Sequence, residues 1–363
     1  MKGAMTMKQG KIYIPVVVLL VSIANVYAKD WPQYLGPGRN GISTQKGILR
    51  SWPQKGPEVL WTVNVGIGFG GPVVKDGKVY LLDRDDQVGD KVRCFDFTSG
   101  KELWNFSYEA PGSVMFPGSR SVPTLDGNRI YSCGPYGNLY CVDINTHKPL
   151  WNKNVWTDFG GGQIPRWAIT QCPLVYGDLL ILASQAPQAG VVAYEKLTGN
   201  VKWTTPSIGP VGYVSPSLVK VGGTDHVVMI TASAGRSESA SGGKVVGIDP
   251  LTGKFLWEYT NFQCGIPVPG AIDAGEGRVF VTGGYQAGAA MIKIAKKADG
   301  SNKLYLIEPD PSAFKPVASA DMLAVASDLD TKFGTQNWAP LALVSGKLLI
   351  RDQSRLMCVK VAK

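Results

Sequence analysis

The side chains of this chain that could do chemistry are few, and they lie outside its regular runs. Arg120 sits in Gly118-Ser119-Arg120-Ser121, and Arg166, Trp167 and Gln171 share the stretch from Pro165 to Gln171. Tyr213, Gln336, Asn337 and Trp338 complete a set of guanidinium, amide and aromatic groups. Gathered at one place, such groups could bind a carboxylate, a sugar or a peptide. They could equally fill a channel and hydrogen-bond strand ends, as most buried polar groups do. Both readings stand at this point. Other constellations have less to draw on. The two histidines, His147 and His226, form no metal pair, so neither a zinc site nor a His-dependent triad is expected. The loop Asp83-Arg84-Asp85-Asp86-Gln87-Val88-Gly89-Asp90 alternates carboxylates that suit calcium. It lacks the spacing and terminal glutamate of an EF-hand loop, and a solvated turn is the simpler reading. The sequence thus predicts no catalytic residue and no metal site.

The elements that must position these residues come from a repeat. An acidic residue, a hydroxyl residue, a glycine or its stand-in and a tryptophan recur at fixed offsets in Asp96–Trp104, Asp143–Trp151, Glu195–Trp203 and Asp249–Trp257. The acid can accept from backbone amides ahead of it, and the glycine supplies a positive φ, so each copy predicts a hairpin turn between two antiparallel strands. His147 replaces the glycine in the second copy, and histidine is among the few side chains that tolerate the left-handed region. A second marker, a proline opening an apolar run, occurs at Pro72, Pro123, Pro173, Pro216, Pro269 and Pro340. Each opening is followed by a turn and further apolar runs, which gives units of four short strands.

Such units, with no helical periodicity between them, predict an all-β fold: a β-propeller of four-stranded antiparallel blades, six by this count, with seven as the alternative. After Pro340 only three strands remain, whereas Glu58–Val63 is an orphan strand near the N-terminus. The expectation is that this strand completes the C-terminal blade, closes the array and removes an open sheet edge. The segment between Pro269 and Pro340 is longer than the other intervals and lacks the tryptophan signature, so it is one enlarged blade or one and a fragment. Its candidate strands are Arg278–Val281, Ala290–Lys293, Leu304–Ile307 and Leu323–Ala326.

Lys2, Lys8 and Lys11 precede an apolar run from Ile12 to Ile23, and Val26-Tyr27-Ala28 suits a signal peptidase. Residues 1–28 are therefore expected to be a signal peptide and 29–363 a single domain, periplasmic or secreted, with no stable membrane insertion after cleavage. The formal charge of +9 would fall by the three lysines to +6. That mild excess, without aromatic stacking motifs, points to no nucleic-acid partner. Hydrophobic residues make up 44% and charged residues 18%, enough for a substantial core. Of the six cysteines, Cys94, Cys141 and Cys358 fill one slot of the third strand in separate units, where Ala193 and Gly247 stand elsewhere. They read as small buried residues. Cys133 and Cys141 flank one hairpin, and a disulfide between them is left open.

The repeat as written in Asp249–Trp257, with strand openings such as Ser215-Pro216, resembles the pyrroloquinoline-quinone-type propeller repeat. The stretch Asp30-Trp31-Pro32-Gln33-Tyr34-Leu35-Gly36-Pro37-Gly38-Arg39-Asn40-Gly41 resembles the opening of an exported bacterial branch of that family. The resemblance implies that Trp61, Trp104, Trp151, Trp203 and Trp257 dock against neighbouring blades. The family's dehydrogenases hold the quinone beneath a disulfide of adjacent cysteines with a calcium bound by Glu, Asn and Asp. This chain has no adjacent cysteine pair, and none of its residues can be matched to those ligands. The function expected from sequence is a noncatalytic envelope scaffold binding a protein or small ligand, nearest by analogy to the propeller lipoproteins of outer-membrane-protein assembly. No cofactor is expected on that reading. The alternative is a dehydrogenase using pyrroloquinoline quinone with calcium, or a saccharide-acting enzyme.

Overall fold

The computed structural model describes residues 30–234, 241–296, 302–307 and 338–362. Among them the strands are β1 (Glu58–Asn64), β2 (Val73–Lys75), β3 (Lys78–Asp85), β4 (Gly89–Asp96), β5 (Glu102–Ser107), β6 (Thr124–Asp126), β7 (Arg129–Cys133), β8 (Asn138–Asp143) and β9 (Pro149–Asn154). They continue with β10 (Leu174–Tyr176), β11 (Leu179–Leu182), β12 (Val192–Glu195), β13 (Val201–Thr204), β14 (Ser217–Val221), β15 (Thr224–Ile230), β16 (Val245–Ile248) and β17 (Phe255–Tyr259). The last are β18 (Ile272–Asp273), β19 (Arg278–Gly283), β20 (Gly288–Lys296), β21 (Asn302–Ile307), β22 (Ala342–Val344), β23 (Lys347–Arg351) and β24 (Arg355–Lys360). They form six four-stranded antiparallel sheets, β2 to β5, β6 to β9, β10 to β13, β14 to β17, β18 to β21, and β22-β23-β24-β1. The long fifth unit contributes one sheet; its candidate strand at 323–326 lies outside the described residues, as do the signal segment 1–28 and the site candidates Gln336 and Asn337.

In the sixth sheet β1 pairs with β24, with Trp61 opposite Cys358 and Thr62 opposite Met357. The closure expected from this pairing needs correction. Each sheet is an open ladder with two unpaired edge strands, and among the described residues no sheet is closed by hydrogen bonds. The pairing completes one blade; it does not join the ends of the array edge to edge. The reason is geometric. Blades meet face to face through side chains, at a spacing of roughly 10 Å rather than the roughly 4.8 Å of paired strands, so a backbone ladder cannot run from one blade to the next.

The repeat explains that face-to-face packing. Asp96 Oδ1 accepts from the amides of Thr98 and Ser99 at 3.0 and 2.7 Å, and Gly100 N donates to Asp96 O at 2.9 Å. Asp143 and Asp249 make the same turn. Trp61, Trp104, Trp151 and Trp203 each lie over the turn of the following blade. A Cβ on Gly100 would stand 2.7 Å from the Trp61 ring, one on Gly199 2.8 Å from Trp151, and one on Gly253 2.6 Å from Trp203. The indole nitrogens of Trp61, Trp151 and Trp203 donate to Phe97 O, Lys196 O and Pro250 O, each at 3.2 Å. The Trp257 indole nitrogen donates to His226 Nδ1 within its own sheet, at 3.0 Å.

The third-strand slot is the other half of this device. Cys94, Cys141, Ala193, Gly247 and Cys358 stand directly across the sheet from Trp104, Trp151, Trp203, Trp257 and Trp61. Small residues there leave room for the indole. Register pairs Cys133 with Leu139 and Tyr131 with Cys141, so Cys133 and Cys141 are not cross-strand partners, and all six cysteines are free and buried. The buried clusters accordingly lie between blades. One joins Tyr131, Cys133 and Leu139 to Leu180, Val192 and Tyr194, another joins Trp61, Leu349 and Cys358 to Val79 and Phe95.

Candidate functional site

Antiparallel strands alternate in direction, so the loops entering each inner strand and those between second and third strands emerge at one end of the sheets. Arg120, Arg166, Trp167, Tyr213 and Trp338 all lie in entering loops, and the structure sorts them into two clusters. In the first, Trp338 lies 5.3 Å from Phe69 and 5.5 Å from Phe116, ring centroid to centroid. The Arg120 guanidinium sits 6.0 Å from the Phe69 ring. In the second, Trp167 meets Tyr213 edge-on at 5.1 Å, with the Arg166 guanidinium 5.6 Å from the Trp167 ring. Trp338 is 58% exposed, although it rests on a buried phenylalanine.

Not all of the expected residues face a ligand. Arg120 donates to Gly118 O at 2.7 Å, to Phe116 O at 2.6 Å and to Met115 O. Its donors thus hold its own loop, and burial, helped by the charge of Arg84, lowers its pKa to about 10. Gln171 is buried, with Nε2 donating to Val214 O at 2.9 Å and Oε1 accepting from Ala183 N at 3.1 Å. It braces strand entries. Arg166 and Trp338 are the exposed members.

Two arginines that sequence reasoning passed over do more to shape this end. Arg84, fully buried, contacts Asp86 Oδ1 at 2.8 Å and Asp90 Oδ2 at 3.1 Å and donates to Ala110 O and Gly112 O at 2.6 and 2.7 Å. Its guanidinium also faces the Tyr136 ring at 5.1 Å. Arg351 donates to Gly70 O at 2.6 Å, Leu82 O at 3.1 Å and Gly66 O at 3.1 Å, tying the sixth blade to the first. A signal for Arg84 was present, since it stands among the aspartates of its loop. Those carboxylates are already engaged. Asp83 accepts from Gly66 N and Arg93, Asp85 caps Gln87 N, and Asp86 and Asp90 take Arg84. Among the described residues no group of three or more His, Cys, Asp or Glu side chains is placed to hold a metal ion.

This end also carries exposed apolar side chains. Met115 and Val268 in entering loops, and Val88 and Tyr285 between second and third strands, join Trp338 in being exposed. An arrangement of exposed aromatics and aliphatics on loops braced from beneath by buried arginines can form a binding surface.

A family model described as "Outer membrane protein assembly factor BamB" matches residues 88–340. Among curated proteins, the chain is 29% identical to a quinoprotein ethanol dehydrogenase of Pseudomonas aeruginosa, over 42% of this chain and 24% of that protein. It is 25% identical to an outer membrane protein assembly factor BamB of Burkholderia pseudomallei, over 80% of this chain and 68% of that protein. Quinoprotein and quinohemoprotein alcohol dehydrogenases recur among its relatives, and the chain spans at most 33% of the length of those it matches. Of solved structures, the quinohemoprotein alcohol dehydrogenase of Comamonas testosteroni superposes with a TM-score of 0.52 at 17% identity, over 88% of this chain and 57% of that one. That likeness shows the shared propeller-type fold.

Proposed function

We propose, for a chain that belongs to the family described as outer membrane protein assembly factor BamB, that it is an envelope scaffold whose loop end binds a protein partner. The protein is periplasmic or secreted, in keeping with that family, and among the described residues no helix is long and apolar enough to cross a membrane. The observation that carries the reading is Trp338. A large aromatic, mostly exposed yet backed by Phe69 and Phe116, is the kind of rigid anchor that dominates protein interfaces. Met115, Val268 and Tyr285 are also exposed in loops at this end.

The test is recovery of a partner from envelope extract by the full mature chain and by Trp338→Ala, with Leu150→Ser on an outer strand as control. Loss with Trp338→Ala alone supports the reading. Equal recovery by all three proteins sinks it.

A second reading, a quinone-dependent oxidoreductase, draws better support from the curated relatives, most of which are dehydrogenases. The residues present fit the quinone in part. Trp338 offers an aromatic face for stacking, and Arg166 is an exposed cation for a carboxylate, whereas the donors of Arg120 are turned to backbone carbonyls. Bound quinone would supply the redox chemistry; the chain's contribution would be stacking and charge. Titration with pyrroloquinoline quinone, with and without calcium, followed by tryptophan fluorescence, separates the two. Saturable quenching that disappears in Trp338→Ala would replace the first reading with the second.

A further inference from the structure

Proline opens each inner strand, and proline removes an N–H from a strand edge while leaving the carbonyl. At the proline itself the inner edge offers a carbonyl with no N–H beside it, while the residues beyond keep both groups. The segment that precedes β1 pairs with both kinds of group. Trp31 N donates to Val74 O and Val74 N to Trp31 O, both at 2.9 Å, and Leu125 N donates to Pro32 O at 2.8 Å. Arg39 then donates from Nη2 to Cys172 O at 2.7 Å, from Nη1 to Pro173 O at 3.1 Å and from Nε to Pro216 O at 3.0 Å. Val74 and Leu125 lie in β2 and β6, and Pro173 and Pro216 immediately precede β10 and β14. One short segment thus touches the inner edges of four successive blades. Further on, Gly346 N donates to Gln45 Oε1 at 3.3 Å and Leu49 N to Val361 O at 2.8 Å, which ties the same segment to the sixth blade.

The chemistry of the fit is specific. A guanidinium carries five donors and no acceptor, the complement of an edge that offers carbonyls. Arg39 is buried, its three hydrogen bonds all go to backbone carbonyls, and the Tyr34 ring lies 5.6 Å from its guanidinium carbon. Between the two anchors the chain folds back on itself. Gly36, at φ +79°, packs so close to Trp31 that a Cβ there would stand 2.8 Å from the indole.

We infer that Trp31–Arg39 is an intramolecular plug, a strap seated in a groove made by the inner edges of the blades, which seals the axis of the ring with Arg39 as its latch. The groove is a recognition site for a folded-back segment that carries an aromatic residue and, eight positions later, an arginine, and the chain's own segment fills it. Cys172 reports on the latch. Its carbonyl holds Arg39 Nη2, and its buried thiol accepts from Val122 N at 3.3 Å.

Alkylation of the full chain with iodoacetamide, followed by peptide mapping, tests this. Arg39→Ala removes the latch, and Gly36→Ala unseats Trp31 while keeping the arginine. Cys172 should label about tenfold or more faster in both variants than in the parent, with Cys94, Cys141 and Cys358 unchanged. An unchanged Cys172 rate in both variants, or a uniform rise of all thiols in both, overturns the inference. A protease site inserted beside Gly47, cut after folding, gives a second readout. The severed strap should stay bound in the parent and leave in Arg39→Ala; departure from both, or from neither, contradicts a strap latched by Arg39.

Discussion

Trp104 stacks on His147 with ring centroids 4.6 Å apart and planes inclined by 18°. The tryptophans of three other blades rest on a glycine at the equivalent turn position. His147 holds φ at +60°, so it keeps the left-handed turn and offers a ring in place of an open backbone. His147→Ala should lose about 1 kcal/mol, because it retains the strained φ and forfeits the stack. His147→Gly also loses the stack but relieves the backbone, by about 1–2 kcal/mol, and should come out near neutral. Urea denaturation of the two variants gives the comparison; an alanine variant as stable as the glycine one would refute the account.

The turn chemistry and the tryptophan spacing were legible because they are local: acid, glycine and indole act within a few residues of one another, and the unit recurs. Where the indole goes was not. That Cys94, Ala193 and Gly247 are small because a tryptophan lies across the strand is a register fact, and register joins residues ten apart through a bulged hairpin. Closure failed for a related reason. A strand pattern shows that β1 has a partner but not whether the blades meet by edge or by face.

The Trp203 dock should be among the costlier contacts to break. Trp203 is buried, and its replacement by alanine is expected to destabilise by about 3–5 kcal/mol. The opposite face of the dock gives a sharper test. Gly253→Ala adds a methyl 2.6 Å from the Trp203 ring at φ +73°, and should cost about 2–4 kcal/mol. Gly127 has φ +56° with nothing within 4 Å, so Gly127→Ala carries only the backbone penalty of about 1–2 kcal/mol. Equal losses at the two glycines, measured by denaturant titration, would remove the dock as the explanation.

The loop end was legible only in composition. Arginine, amide and aromatic residues marked the entering loops, but three-dimensional placement decides which of them are spent on backbone. Gln171 and Arg120 turned out to brace strands and loop, while Arg84, placed by sequence in a solvated turn, and Arg351 are buried and hold backbone carbonyls. Nothing in a strand pattern marks a charge that is buried.

Arg84 pins the loop from Tyr108 to Gly112 by two carbonyls and balances two carboxylates. Arg84→Met leaves the buried Asp90 without its cation and should cost about 3–5 kcal/mol. Adding Asp90→Asn to that variant removes the stranded charge, so the double variant should be more stable than Arg84→Met alone. A double variant that is worse, by the sum of the single losses, would show that the two side chains act independently.

Asp90 also sets a pH dependence. Its carboxyl is fully buried, with Oδ1 unpartnered, and faces Arg84 from its own hairpin, Tyr108 from the following loop, and Asp83. Burial outweighs the attraction of Arg84 and raises its pKa from 3.8 to about 6. The folded state therefore holds the proton more tightly than the unfolded chain does. The stabilisation from that proton is complete below about pH 4, is lost as pH rises through about 6, and is constant above. A shift of roughly two units corresponds to about 3 kcal/mol across the window. The difference in unfolding free energy between the parent and Asp90→Asn, followed from pH 4 to 7.5, should move against the parent by that order as pH rises. The variant removes the titrating group and leaves the other carboxylates in place, so their contributions cancel in the difference. A flat difference would mean that Asp90 binds no more protons in the folded state than in the unfolded chain across the window, so that Arg84 offsets the effect of its burial.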